Sequence, residues 1–485
     1  MKKTKIFKYT ICVVSVLVTL LGVSCKKFLQ VQPRDYMFEE EAFSSVNGVE
    51  SALNGIYQSL ADSTLYGNML TMTATERMAQ YYSSNKWTYG GIDYLDYTDP
   101  NVKAILNNIW NGSYKLILGT NNFCARLEDS SFKVLSNEQR NIMLGEAYAI
   151  RAFLHFDLLR LYGPVFAKDP QKMSIPYIRK VAREAQPVLP AADVIREVLS
   201  DIASALNLLQ NDPIRTKGPE WSNIPPIGQS IDFFSNRQRR MNYFAIKALL
   251  ARVQLYAGMK QEAYQTVQSV LTEQEPLFPW AAEQDYAKDP LLTGESYFGI
   301  ENRNIYNFYR QQFSPLLNDD IILTPKPARL DEIYSPASTD LRLKYWFKVG
   351  TEGNKSYKVF VKFSNATVTD DTRSYYQPLL RKSELYLIAA ETAPDLESGF
   401  KYLNVLRINK GLSQLNYQPN STMAEFIINI QNEYIREFIG EGQTFFMFKR
   451  FNSPTIPYSF GGGYLFNMDD SRYVIPLPED ETYYR

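Results

Sequence analysis

The stretch GEAYAIRAFLHFDLLRLYGP, Gly145 to Pro164, limits the possible folds more than any other part of the chain. Leu144, Tyr148, Ala152, Leu159 and Tyr162, with His155 among them, fall on one helical face. Met143, Ala147, Ile150, Leu154, Leu158 and Leu161 fall on a second. A surface helix carries one apolar stripe, so two stripes require packing partners on both sides. Only Glu146, Asp157 and Arg160 mark an expected wet edge. Gly145, Ala147, Ala149 and Ala152 predict close approach by a neighbouring helix. Gly163 followed by Pro164 predicts a left-handed stop. The stretch therefore reads as the central helix of a mainly α fold.

Helical spacing recurs on both sides of it. SSVNGVESALNGIYQSL opens with capping residues and continues with apolar periodicity. Val102 to Leu127 is the next helix, and Ser136 or Asn137 is placed to cap the central one. Pro164 to Pro190 reads as a crossing loop, Ala192 to Leu209 as an amphipathic helix, and NYFAIKALLARVQLYAG and residues 259–271 as two more. AIRAFL at 149–154 and AIKALL at 245–250 form a weak internal repeat, the pattern of stacked helical hairpins that need their neighbours to bury a face. Helices resume in LLRKSELYLIAAETA, SGFKYLNVLRINKGL and STMAEFIINIQNEYIREFIGEGQTFFMFKRF. The expected architecture is thus stacked tetratricopeptide-like helical hairpins, about 45–275 and 380–451, with a large loop-rich irregular insert region.

The irregular parts are about 79–100, 211–240 and 276–376. The first, AQYYSSNKWTYGGIDYLDYTDP, is too long and polar for a simple connector and is dense in rings. A sugar offers an apolar C–H face and polar hydroxyls, which suits a flat ring beside amide and carboxylate groups. Trp87, Tyr89 and Tyr94 are the candidate stacking rings there, with Asn85 or Asp93 to bond hydroxyls. Trp221, Trp280 and Trp346 are competing candidates in the later loops, where ESYFGIEN and YKVFVKF predict small hairpins.

At the N-terminus, basic MKKTKIFKYT, apolar Ile11 to Val23 and small Ser24 precede Cys25. This order predicts a secretory signal over residues 1–24, followed by one domain from Cys25 to Arg485. The apolar run is shorter than the ~20 residues a spanning helix needs. A cysteine at the cut resembles a bacterial lipoprotein signal, with Gly22 where an apolar residue is usual, and implies lipidation of Cys25 and anchoring in the membrane. Loss of the signal's four lysines from 52 basic and 52 acidic residues leaves 48 against 52, a net charge of −4. That balance speaks against a nucleic-acid partner. Cys124 would be the one cysteine left unmodified, so no internal disulfide is expected, and its apolar helical surroundings read as a core position.

Familiar catalytic and cofactor motifs are absent. There is no HExxH, GxxxxGK[ST], GxSxG or dinucleotide fingerprint. The sole histidine, His155, lies within the central helix, so a serine or cysteine nucleophile lacks a histidine base and a His-ligated zinc site cannot form. Asp319-Asp320, Asp370-Asp371 and Asp469-Asp470 read as solvated turns, or at best a calcium site. The expectation is a protein that is not an enzyme, with no cofactor and no metal.

Several stretches carry a family resemblance. The central helix is similar to the EA-x-x-x-RA-x-x-x-x-D-L-x-R-x-YG helix of the SusD/RagB family of outer-membrane nutrient-binding lipoproteins. Trp110, Tyr114, Ile117 and Asn121 resemble its W-x-x-x-Y-x-x-I-x-x-x-N pattern. Arg381, Glu384, Leu387, Ala390 and Glu391 resemble one later helix, and Leu403, Asn404, Arg407, Gly411 and Leu412 the next. In the third, Glu433, Arg436, Glu437, Glu441, Gly442, Lys449 and Arg450 are kept, while Tyr434, Thr444 and Met447 stand where Arg, Arg and Asp are usual. Those departures imply a weakened ion-pair network. FLQVQP near the start and RYVIPLPEDE near the end also resemble family segments. The resemblance implies an outer-membrane lipoprotein facing the cell exterior. It would capture a glycan and pass it to a SusC-like TonB-dependent transporter, the helical half facing that partner and the loops holding ligand. A peptide-binding RagB-like protein and a scaffold without ligand are the alternatives.

Overall fold

Ser136 begins the central helix as expected. In the computed structural model, which describes residues 39–84, 90–181, 184–220, 232–336, 338–350, 352–364 and 372–483, its side chain accepts from the Gln139 amide and Gln139 returns the bond. The helices used below are α1 (Val46–Leu60), α2 (Pro100–Glu128), α3 (Asn137–Tyr162), α4 (Ala191–Leu208), α5 (Tyr243–Tyr256), α6 (Lys260–Gln274), α7 (Pro327–Tyr334), α8 (Lys382–Thr392), α9 (Leu396–Asn409), α10 (Met423–Glu437) and α11 (Thr444–Phe451). Residues Glu50–Arg485 form one compact unit and Met1–Val49 another. Chain neighbours pack in pairs, α2 on α3, α3 on α4, α5 on α6 and α8 on α9, with α5 and α6 both reaching α8. The fold is mainly α.

The central helix, α3, is buried along nearly its whole length, including Glu146, Asp157 and Arg160. The expected wet edge is therefore corrected: each charge faces a partner on another element. Glu146 takes Arg237 and the Tyr57 hydroxyl, at 2.7 Å. Asp157 takes the Tyr66 hydroxyl at 2.9 Å and Arg160, which also reaches Gln443 at 3.0 Å. The close approach is real at Gly145, where a Cβ would stand 1.9 Å from Cδ1 of Leu209.

The end of α3 differs from expectation. Gly163 is extended, with φ −76° and ψ 172°, rather than left-handed. Lys449 explains why no left-handed turn is needed: its buried ammonium donates to the carbonyls of Arg160, Leu161 and Gly163 at 2.7, 3.0 and 2.8 Å. A left-handed turn would satisfy such terminal carbonyls from the backbone, whereas here a side chain 286 residues away does so.

The connections hold more regular structure than their sequence suggests. Within 164–190, β1 (Met173–Pro176) pairs antiparallel with β2 (Val188–Pro190). The insert after α6 contains β3 (Ser296–Glu301), β4 (Phe347–Val349) and β5 (Lys358–Phe360), as well as helices at Ile305–Gln312, α7 and Leu341–Trp346. β4 pairs with β5, while β3 pairs with β6 (Tyr376–Arg381), which leads directly into α8. This long-range ladder ties the insert to the helical stack.

Candidate functional site

The first aromatic loop is held at both ends by buried polar contacts. Before it, Glu76 accepts the amides of Gly440 and Gly442 at 2.8 and 2.7 Å. Gly442 has φ +72°, and a Cβ there would meet the Leu70 carbonyl at 2.0 Å, so this clamp requires glycine. Burial pushes the Glu76 carboxyl up to about 8, against the two amides. Next, Arg77 grips Asp93 with two contacts of 2.5 and 2.6 Å, while the Ser84 amide and Gln80 bond Asp93 at 3.2 and 2.7 Å. Asp93 is therefore a strut of the loop and not an open acceptor for ligand hydroxyls, which corrects its expected role. A carboxylate buried this deeply needs the guanidinium.

Loop tyrosines divide sharply. Tyr81, Tyr82 and Tyr97 are buried and bond the carbonyls of Ile435, Met72 and Arg472. Tyr94 remains 58% exposed. Beside it stands Tyr458, whose phenol is raised by burial first and then by Tyr94 and Asp93. Tyr458 sits just after β7 (Thr455–Pro457), which pairs with β8 (Leu465–Asn467). The intervening Gly461, Gly462 and Gly463 have φ of +71°, +73° and +76°, a run for which glycine is suited. Tyr458 packs against Phe460 and Phe466 at 4.9 and 5.6 Å between centroids, and Arg472 lies 4.7 Å over Phe466. Phe460, Tyr464 and Leu465 are 50, 69 and 60% exposed.

These residues form an open aromatic ridge from two segments more than 350 positions apart in sequence. The hairpin was absent from the expected site. Its signal was YSFGGGYLF at 458–466, in which rings flank three glycines. Against the ridge lies a cleft of about 260 Å3, lined by Arg329, Glu332, Asn432, Ile435, Pro457 and Tyr464 among others.

The remaining expected residues fall elsewhere. Trp346 is fully buried, donates to the Pro290 carbonyl at 2.8 Å and lies under the Lys362 ammonium, so its expected stacking on ligand is corrected. Trp280 is half-buried against Tyr386, with Lys382 and Lys410 near its face. Cys25, Asn85, Trp87, Tyr89 and Trp221 lie outside the described residues. Asp319 is paired with Lys355 and the Tyr357 hydroxyl, and Asp469 caps a short helix. Among the described residues, no three His, Cys, Asp or Glu side chains converge to hold a metal ion.

His155 is buried, with Nδ1 bonded to the Arg151 carbonyl at 2.8 Å and Nε2 accepting the Ile178 amide at 3.0 Å. Burial pushes its pKa down to about 3 and that of the Cys124 thiol up to about 12. Neither group is a reactive centre at neutral pH.

The charged motif residues of the later helices are structural. Arg342 reaches Asp340, Glu433 and Glu437, and Arg381 reaches Glu437 and Glu441, all buried. Glu384 holds Arg252 through two 2.6 Å contacts, and Glu391 holds Arg450. The expected weakening of this network is thus corrected, because arginines from other elements supply the charge. Thr444 bonds the Tyr81 hydroxyl at 2.8 Å instead.

Residues 27–219 match the family model described as starch-binding, associating with the outer membrane, and residues 344–481 match that of the SusD family. SusD-like protein P2 of Formosa agariphila is 25% identical over 207 residues, 41% of this chain and 37% of that protein. A SusD-like protein of Bacteroides ovatus is 22% identical over 45% of this chain and 38% of its own length. The matches thus span well under half of either relative. Solved structures agree over more of the chain. A SusD superfamily protein from Bacteroides thetaiotaomicron covers 90% of this chain and 98% of its own, with 20% identity and a TM-score of 0.68. A SusD-like carbohydrate binding protein from Bacteroides vulgatus covers 91 and 96%, with 17% identity and a TM-score of 0.70. With two models of one family matching successive parts of the chain and the same fold along its length, this protein belongs to the SusD/RagB family.

Proposed function

We propose that this protein captures a glycan at the cell surface, on the ridge of Tyr94, Tyr458, Phe460 and Tyr464. That ridge carries the proposal: exposed rings joined across distant segments, held by buried struts, offer flat apolar faces at little entropic cost. The segment bearing Asn85, Trp87 and Tyr89 runs in sequence directly into Tyr94. Family membership and the carbohydrate-binding description of a structural relative support the reading. Lipidation at Cys25 anchors the chain in the outer membrane facing outward, and a SusC-like TonB-dependent transporter receives the glycan. No helix among the described residues is long and apolar enough to cross a membrane. The proposed role is binding without catalysis, and the one histidine is buried in the core.

Calorimetric titration against a panel of polysaccharides and a peptide library tests this. Tyr464→Ala, at an exposed position, should leave the melting temperature unchanged and weaken glycan binding by about 2 kcal/mol, roughly 30-fold. Binding of peptides alone, or equal glycan affinity for wild type, Tyr464→Ala and Trp87→Ala, would refute it.

A further inference from the structure

Arg329 stands apart from the other buried arginines. Seven of these, Arg77, Arg151, Arg160, Arg237, Arg252, Arg342 and Arg381, each make at least two hydrogen bonds to carboxylates. Arg329 is 2% exposed yet makes one, from Nη1 to Glu332 at 3.3 Å. Its Nε reaches the Gln80 carbonyl at 3.3 Å, and Nη2 has no partner among the described residues. Glu332 is itself shared, since its other oxygen accepts the Gly463 amide at 2.6 Å. Burying a guanidinium with so little compensation is costly.

The incomplete ion pair lies in the wall of the cleft beside the aromatic ridge. Exposed Tyr464 forms one side, and exposed Asn432, on α10, offers an amide on another. The position of the arginine is tied to the ridge: a Cβ on Gly461 would stand 2.3 Å from the Arg329 amide nitrogen, so the glycine turn rests on the start of this residue. A cleft of about 260 Å3 falls just below the ~300–1,000 Å3 of sites for drug-sized ligands. It suits one residue of a longer chain better than a whole ligand.

We propose that this cleft takes an anionic sugar residue, its oxyanion completing the coordination of Arg329 while Tyr464 packs on the ring. The inference rests on the glycan reading above and narrows the ligand to acidic polysaccharides. The planar guanidinium fork favours the carboxylate of a uronic acid, and a sulfate ester presents the same oxyanion chemistry.

The test compares binding of oligogalacturonate, a sulfated galactan and neutral glucans and xylans by the purified protein. Arg329→Gln removes the cation. Because a buried arginine can be needed for folding, Asn432→Asp serves as the second variant, placing a like charge in the cleft from an exposed position. Expected results are acidic-glycan binding that weakens as salt rises, and a loss of about tenfold or more in Asn432→Asp. A sulfated ligand that binds in place of the uronate and is weakened by Asn432→Asp supports the same site with sulfate as the anion. Binding of neutral glycans only, or acidic binding indifferent to Asn432→Asp, overturns the inference and leaves the glycan reading standing. Binding of no glycan overturns both.

Discussion

Acidification should destabilise this protein through His155 by an amount that can be worked out. Its two ring nitrogens are satisfied in the neutral form, Nδ1 donating to Arg151 and Nε2 accepting from Ile178, while the ring stacks on Tyr177 at 3.9 Å. A second proton would have to displace the Ile178 amide from Nε2. Burial is the main cause of the shift to about 3, with Arg151 and Arg179 adding to it and the Arg151 carbonyl and Asp201 opposing it. Because the folded value lies below the ordinary 6.5, the unfolded chain takes the proton first as pH falls. The stabilisation is complete above pH 6.5 and is lost on acidification toward pH 3. At about 1.36 kcal/mol per pH unit, and with the unfolded imidazole already half protonated at pH 6.5, the loss between pH 6.5 and 4.5 is about 2 kcal/mol. Carboxylates also titrate in that range, so the informative quantity is the stability difference between wild type and His155→Gln. That difference, from denaturant unfolding at the two pH values, should shrink by about 2 kcal/mol. The histidine is unique in the chain, so its ring resonances in the folded protein need no sorting and should not titrate between pH 7 and 4.5. An imidazole titrating near 6.5 in the folded state, or a pH-independent stability difference, would refute the reasoning.

Lys449→Met should cost about 3 kcal/mol, because the buried carbonyls of Arg160, Leu161 and Gly163 lose the ammonium together and only that of Leu161 keeps another donor, the Ile475 amide at 3.4 Å. Thermal unfolding measures this, and a fall of less than about 1 kcal/mol would mean that water or backbone replaces the ammonium. Cys25→Ala should release the protein from the membrane fraction, and cell fractionation with metabolic lipid labelling checks it. Wild-type membrane retention of an unacylated variant would remove the proposed anchor.

Periodicity was enough to place the central helix, its Ser136 cap and its partners, because a doubly apolar helix must be covered on both sides and the pattern is local. Resemblance likewise pointed to the family through short motifs in the right order. What periodicity could not reveal was which charges are buried. Glu146, Asp157 and Arg160 read as wet in sequence, and their burial depends on Arg237, Tyr57, Tyr66 and Gln443, which arrive from other elements. The end of α3 was misread for the same reason, since a lysine far along the chain does the work assigned to a left-handed glycine.

At the site, the sequence identified the first aromatic loop but could not sort its residues. Tyr94 is open while Tyr81, Tyr82 and Tyr97 are packed, and Asp93 is drawn inward by Arg77. Trp346 looked like a loop tryptophan and is a core residue, because the surrounding insert folds around it. The ridge itself needed two distant segments brought together. Composition and spacing set how many rings a loop carries, but exposure depends on which surfaces the rest of the chain leaves uncovered, and that is decided only in three dimensions.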